Sequence, residues 1–166
     1  MDGDSPVAEM FLRLENISGE SLNEDHTDEI EISLFTWDIN NNANLTMSQQ
    51  EATSKAIIGN IFVHKGYDKA SVTLTQFCIK GQHIGNATIT CRKQTGEEKL
   101  PFFIVKMKNV MVKSVKRTSN VLDLTPETIE LNFEEFHMEY LVQSNRGYQS
   151  PGGHPFGWNI PQMKEV

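Results

Sequence analysis

The chain has 166 residues, a hydrophobic share of 38% and a formal net charge of −7 at neutral pH. Its length is typical of one domain with a sizeable core, and its negative charge argues against a binder of duplex nucleic acid, which depends on clustered Lys and Arg. No apolar run approaches the roughly 20 residues of a membrane helix, and the start MDGDSPVAEM lacks the features of a secretory signal. We therefore expect a chain that folds in the cytoplasm, does not insert into a membrane and needs no such signal for any export.

The first two predicted strands lie near the start of the chain. Apolar and polar residues alternate in AEMFLRL (8–14), which is typical of a strand with one buried face. The same alternation opens DEIEISLFTWDIN (28–40) and predicts that Ile30, Ile32 and Leu34 point inward. Further alternating segments follow, so the chain is predicted to be mostly β.

Three of the predicted strands change phase part-way along. In the strand at 28–40 the apolar members after the change are Phe35, Trp37 and Ile39. The alternation also changes at Asn109, and again at Glu134–Glu135. Because side chains along a strand alternate with period two, each change requires an extra residue or a corner. Such bent strands are typical of a closed barrel or an orthogonal two-sheet sandwich.

One segment, YDKASVTLTQFCIKG (67–81), predicts a helix. Its apolar residues recur at helical spacing: Ala70, Leu74, Phe77 and Cys78. Asp68 is expected at the N-cap, and Gly81 is expected to end the helix. We expect this single helix to plug or cover one side of the barrel.

The segment NFEEFHMEYL (132–141) gathers Glu135, His137 and Glu139 on one side of a strand. Ligands two residues apart on a strand can reach a common ion, so a metal-dependent enzyme built on His137 is one interpretation. A solvated or interface-facing side of the strand is the other. We favour the second, because the remaining histidines are scattered and none stands at metal-binding spacing from His137.

Familiar catalytic motifs are absent from the sequence, including a GxSxG elbow, a P-loop and a GxGxxG turn after a strand. Cys78 lies on the apolar stripe of the predicted helix, and we expect both Cys78 and Cys91 to be free, buried thiols. We therefore expect neither catalysis nor a cofactor. Trp37 and Trp158 keep one alternative open, a monomeric β-barrel that binds a small ligand or a carbohydrate.

Charge is unevenly distributed along the chain. Residues 1–31 contain ten acids and one base, whereas residues 92–117 contain eight bases and two acids. The two blocks can pair within one molecule, or they can align neighbouring subunits head to tail. We favour internal or solvated charges over assembly driven by charge alone.

Five segments become informative in combination. They are HTDEIEISLFTW (26–37), YDKAS (67–71), GQHIGNATITCRK (81–93), FIVKMKNVMVKSV (103–115) and TIELNFEEFHMEY (128–140). In this order they resemble the Hcp family, the haemolysin-coregulated proteins of bacterial type VI secretion. The later segment FGWNI (156–160) is similar to a C-terminal extension that some members carry.

The resemblance implies a closed β-barrel formed by two antiparallel sheets and flanked by one α-helix. It divides the chain into an acidic N-terminal extension (1–7), the barrel domain (8–143) and a Gly/Pro-rich C-terminal extension (144–166). In this family the barrel is a structural unit and is not known for catalysis.

The resemblance also implies partners. Copies of such a chain assemble into homohexameric rings, the rings stack into the inner tube that a sheath propels behind a spike, and effectors travel in the lumen. A polar loop contacts the next ring in this family, and here the corresponding segment nominates Asn41, Asn42, Asn44, Thr46, Ser48, Gln49 and Gln50. Export with the tube requires no signal peptide.

Overall fold

The computed structural model describes residues 8–46, 55–122, 126–143 and 153–166. Within these ranges the chain forms nine β-strands, one α-helix and one short 3₁₀ helix. In chain order the elements are β1 (Ala8–Leu14), the 3₁₀ helix (Glu24–His26), β2 (Ile30–Asn41), β3 (Ala56–Lys65), α1 (Ala70–Lys80), β4 (His83–Thr95), β5 (Glu98–Arg117), β6 (Glu127–Asn132), β7 (Glu135–Tyr140), β8 (His154–Asn159) and β9 (Lys164–Glu165). Neither helix of the described part has the length and apolar character needed to span a bilayer.

Six of the described strands close into an antiparallel barrel. Their order is β4-β1-β2-β3-β6-β5, and the pairing of β5 with β4 completes the closure. The strands β7, β8 and β9 continue outward from β5 as an antiparallel extension. The predicted barrel with one helix is therefore confirmed.

Strand β5 connects the barrel to this extension because it is 20 residues long. Along one edge it pairs with β4, and along the other it pairs first with β7 and then with β6. Strands β6 and β7 thus occupy the same edge of β5, separated by Phe133 and Glu134. The corner predicted at Glu134–Glu135 is confirmed, with the break one residue earlier.

A second predicted phase change falls at Asn109 within β5. Met107 and Val110 are both buried although they lie three residues apart. Opposite them on β4, Ala87 pairs with Met107 and Gly85 with Val110, so β5 carries one extra residue there. Asn109 has a φ of 52°, in the left-handed region. The predicted irregularity is therefore a β-bulge.

The phase change in β2 lies earlier than the sequence predicts. Ile32 pairs with Lys65 and Leu34 pairs with His64, so β2 has one extra residue at Ser33. This bulge turns Leu34 outward, where its side chain is 48% exposed. The predicted inward position of Leu34 is therefore wrong, whereas that of Ile32 is confirmed.

The hydrophobic core fills the barrel and draws aliphatic side chains from every barrel strand. Its most enclosed members include Leu12, Ile30, Ile61, Val63, Ile89, Val105, Ile129 and Leu131. Burying each of these side chains contributes about 1.5–3 kcal/mol. The thiol of Cys91 is free and buried as expected, and burial raises its pKa to about 11. Cys78 is also free, but it is only half-buried.

The helix α1 begins three residues later than the predicted segment and ends where expected. The side chain of Asp68 accepts a hydrogen bond from the backbone N–H of Ala70 at 3.0 Å, although Lys69 occupies the formal N-cap position. Gly81 ends the helix in the left-handed region with a φ of 60°. Ala70 and Leu74 bury one side of the helix in the core.

Candidate assembly surfaces

The outward side of β7 carries the groups that the sequence offers as a metal site. The carboxylate of Glu135 accepts hydrogen bonds from Lys108 at 2.9 Å and from Asn159 at 3.3 Å. Nε2 of His137 lies 3.0 Å from the same carboxylate and donates to it, because an ionised carboxylate only accepts. These bonds, led by that of Lys108, lower the pKa of Glu135 to about 2. The cluster therefore links β5, β7 and β8.

An open groove of about 460 Å³ lies beside this cluster, and His137 and Glu139 line it. Its other lining groups mix charge and apolar surface and include Ile104, Lys106, Phe156, Glu165 and Val166. Across the four described ranges, no group of three or more His, Cys, Asp or Glu side chains could hold a metal ion. An outward, partly solvated strand side accounts for both residues.

Both tryptophans pack in an aromatic cluster between the β2–β3 hairpin and the outer strands. The ring of Trp37 lies 4.8 Å from that of Phe136, and its indole N–H donates to the carbonyl of Gly59 at 3.1 Å. Trp158 stacks beside Phe156 with the ring centroids 6.4 Å apart. The indoles therefore have packing roles, which add no support to the carbohydrate-binding alternative.

Strand β2 has an edge that no described strand covers. It pairs with β1 only from Ile30 to Ile32, while on its other edge it pairs with β3 as far as Asn41. Residues 33–40 therefore present unpaired backbone along one edge in the described structure. Such an edge is a template for pairing with another chain.

The same β2–β3 hairpin exposes large apolar side chains. On β2, Leu34 and Ile39 are each about half exposed. On β3, Ile57 is also about half exposed, and Phe62 is 36% exposed. On the outer strands Phe156 is also partly exposed. Exposed apolar side chains beside an open strand edge are typical of a protein–protein interface.

The described members of the predicted stacking loop lie at the far end of this hairpin. Asn42 receives the backbone N–H of Lys55 on its side-chain oxygen at 2.9 Å. The side-chain oxygen of Asn44 accepts a hydrogen bond from the backbone N–H of Thr46 at 3.1 Å, and that of Asn41 accepts one from the backbone N–H of Ala43 at 2.7 Å. The structure thus brings Asn41, Asn42, Asn44 and Thr46 together. The other nominees, Ser48, Gln49 and Gln50, lie outside the described residues.

The acidic and basic blocks of the sequence meet within one molecule. Glu9 accepts hydrogen bonds from Arg92 at 2.7 Å and from Lys99 at 2.5 Å, and these bonds lower the pKa of Glu9. Asp25 lies 3.3 Å from the same guanidinium. The internal pairing predicted from the charge pattern is therefore observed. Four lysines of the basic block form no ion pair with a described residue: Lys93, Lys106, Lys113 and Lys116.

A fully buried ion pair, which the sequence analysis missed, lies beside the start of α1. Nζ of Lys65 is 2.6 Å from a carboxylate oxygen of Glu127, and both side chains are completely enclosed. Ser71 donates to the same oxygen at 2.6 Å, and Nε of Arg117 lies 2.5 Å from the other. Burial alone would raise the pKa of Glu127, but the bonds from Lys65, Ser71 and Arg117 together lower it.

One local signal could have identified this pair. Lys65 continues the inward phase set by Ile61 and Val63, and Glu127 stands two residues before inward Ile129. A charged residue at an inward position of a strand needs a buried partner. The sequence does not show which one, because Lys65 and Glu127 are separated by 62 residues.

Comparisons with known proteins identify similar sequences and similar folds. Residues 11–140 match the model of a family described as "Type VI secretion system effector, Hcp". The chain is 29% identical over 157 residues to Protein hcp1 of Pseudomonas aeruginosa, covering 94% of this chain and 97% of that protein. It superposes on the crystal structure of Hcp1 from Salmonella typhimurium with a TM-score of 0.78 at 26% identity, covering 96% of this chain and 99% of that one. A solved structure described as a type six secretion system protein gives a TM-score of 0.87 at 28% identity, with coverages of 95% and 99%.

Proposed function

The chain belongs to the Hcp family of type VI secretion proteins, and from that premise we propose that it is the self-assembling subunit of the inner secretion tube. Copies form hexameric rings, and the rings stack into a tube whose lumen carries effector proteins. The tube works with the spike and sheath components of the secretion system. The subunit is a structural protein and not an enzyme.

The observation that carries this proposal is the open edge of β2 at residues 33–40. An interface in which a different surface of one copy covers this edge of its neighbour is heterologous, and such interfaces generate closed rings when the rotation between copies closes. Pairing satisfies the backbone groups of the edge, and the same contact buries the apolar side chains of the β2–β3 hairpin.

We assign the contact between stacked rings to the end of the same hairpin. Asn41, Asn42, Asn44 and Thr46 form a polar tip there, and the assignment extends to Ser48, Gln49 and Gln50. Polar side chains suit a contact that forms and separates more readily than the ring itself. The barrel domain (8–143) is the assembling unit in this proposal, and the segments 1–7 and 144–166 are extensions of it.

The location of the protein follows from this role. Before firing, the rings form in the bacterial cytoplasm, where the free thiols of Cys78 and Cys91 remain reduced. The protein then leaves the cell with the tube and without a cleavable signal peptide.

Negative-stain electron microscopy combined with sedimentation velocity tests the proposal. We expect ring-shaped particles and a mass of about six times 18.8 kDa. A monomer that persists across a wide concentration range would contradict ring assembly.

A pair of variants tests the position of the interface. Leu34→Glu and Ile57→Glu change exposed residues, so the barrel should stay folded by circular dichroism while the rings are lost. Val121→Glu alters an exposed residue in the β5–β6 connection and serves as the matched control. Rings that survive both hairpin changes would place the interface elsewhere.

A further inference from the structure

We draw no further inference here: the strongest candidate, the open groove of about 460 Å³ between β5, β7 and β8, is lined by Lys106, Glu139 and apolar side chains that suit ligands of either charge, and nothing in the structure shows what covers it.

Discussion

Glu127 is the residue on which four elements converge. It accepts hydrogen bonds from Lys65, Ser71 and Arg117 on β3, α1 and β5, while its own side chain is fully buried. Removing its charge would leave the buried ammonium of Lys65 with the carboxylate of Asp68, 2.9 Å away, as its remaining counter-charge. The stability of the helix–barrel contact therefore depends on this carboxylate.

We expect Glu127→Gln to lower the free energy of unfolding by about 1.5–3 kcal/mol, because Lys65 and Arg117 each lose a charged hydrogen-bond partner, although Lys65 keeps the carboxylate of Asp68 at 2.9 Å. Urea denaturation at matched protein concentration measures the change. Glu97→Gln, at an exposed site, should alter the same quantity by less than about 0.5 kcal/mol. A loss as small for Glu127→Gln as for this control would show that the buried pair adds little.

Glu135 predicts how stability depends on pH. Hydrogen bonds from Lys108, His137 and Asn159 lower its pKa from 4.5 to about 2 in the folded protein. Because the folded value lies below the unfolded one, the stabilisation is fully present above about pH 4.5 and is lost as the pH falls towards 2. Thermal unfolding midpoints between these pH values should fall less steeply for Glu135→Gln than for the natural chain. Identical slopes would exclude a contribution from this cluster.

At the scale of elements, the outer strands depend on a close approach at Gly157 of β8. A Cβ at this position would lie 2.6 Å from Nδ1 of His137 and 2.8 Å from the backbone oxygen of Val166. Both distances are too short for a real contact, so β9 or the His137 ring has to move. Close packing of β7 and β9 around β8 therefore requires glycine here.

We expect Gly157→Ala to release β9 while leaving the barrel intact. Hydrogen–deuterium exchange should become faster at Lys164 and Glu165, because their pairing with β8 is lost. Amides of β6 serve as the control within the same molecule. Unchanged exchange at β9 would mean that His137 alone absorbs the clash.

The bends in the strands could be predicted because a change in the apolar/polar alternation is visible within a short segment of sequence. Two apolar residues three apart, Met107 and Val110, are enough to indicate the bulge at Asn109. The sequence places the phase change of β2 after Leu34 and not at Ser33, because Leu34 is apolar and continues the preceding alternation. Only the register against β3 shows that Leu34 points outward.

Contacts between distant segments were harder to predict. The uneven charge of the sequence predicts that the acidic block (1–31) pairs with the basic block (92–117). That Glu9 is the partner of Arg92 and Lys99 depends on β1 lying beside β4. Similarly, the open edge of β2 appears only once the short pairing between β1 and β2 is known. Local patterns thus predict the elements, whereas the assembly surface depends on their order in the sheet.

At the scale of the whole molecule, internal charge pairing predicts how the proposed rings respond to salt. Glu9 and Asp25 already pair with Arg92 and Lys99 within one chain, so these charges are not available between subunits, and the proposed interface consists of backbone pairing and apolar contacts. We expect the ring mass in sedimentation to stay constant between about 0.1 and 1 M salt, where surface charges become screened. Dissociation of the rings at high salt would show that ion pairs hold the subunits together.

The order of strands in the barrel also determines when the protein can fold during synthesis. Strand β1 must wait for β4, since Ala8 pairs with Lys93, and the gap between β3 and β5 is closed only by β6, which ends at Asn132. Pairing over such separations is slow, because loop closure costs entropy before the contacts form. Until residue 132 has left the ribosome, the nascent chain therefore exposes several unpaired strand edges. Such edges are templates for pairing with other chains, so the chain is most prone to premature association before residue 132 emerges.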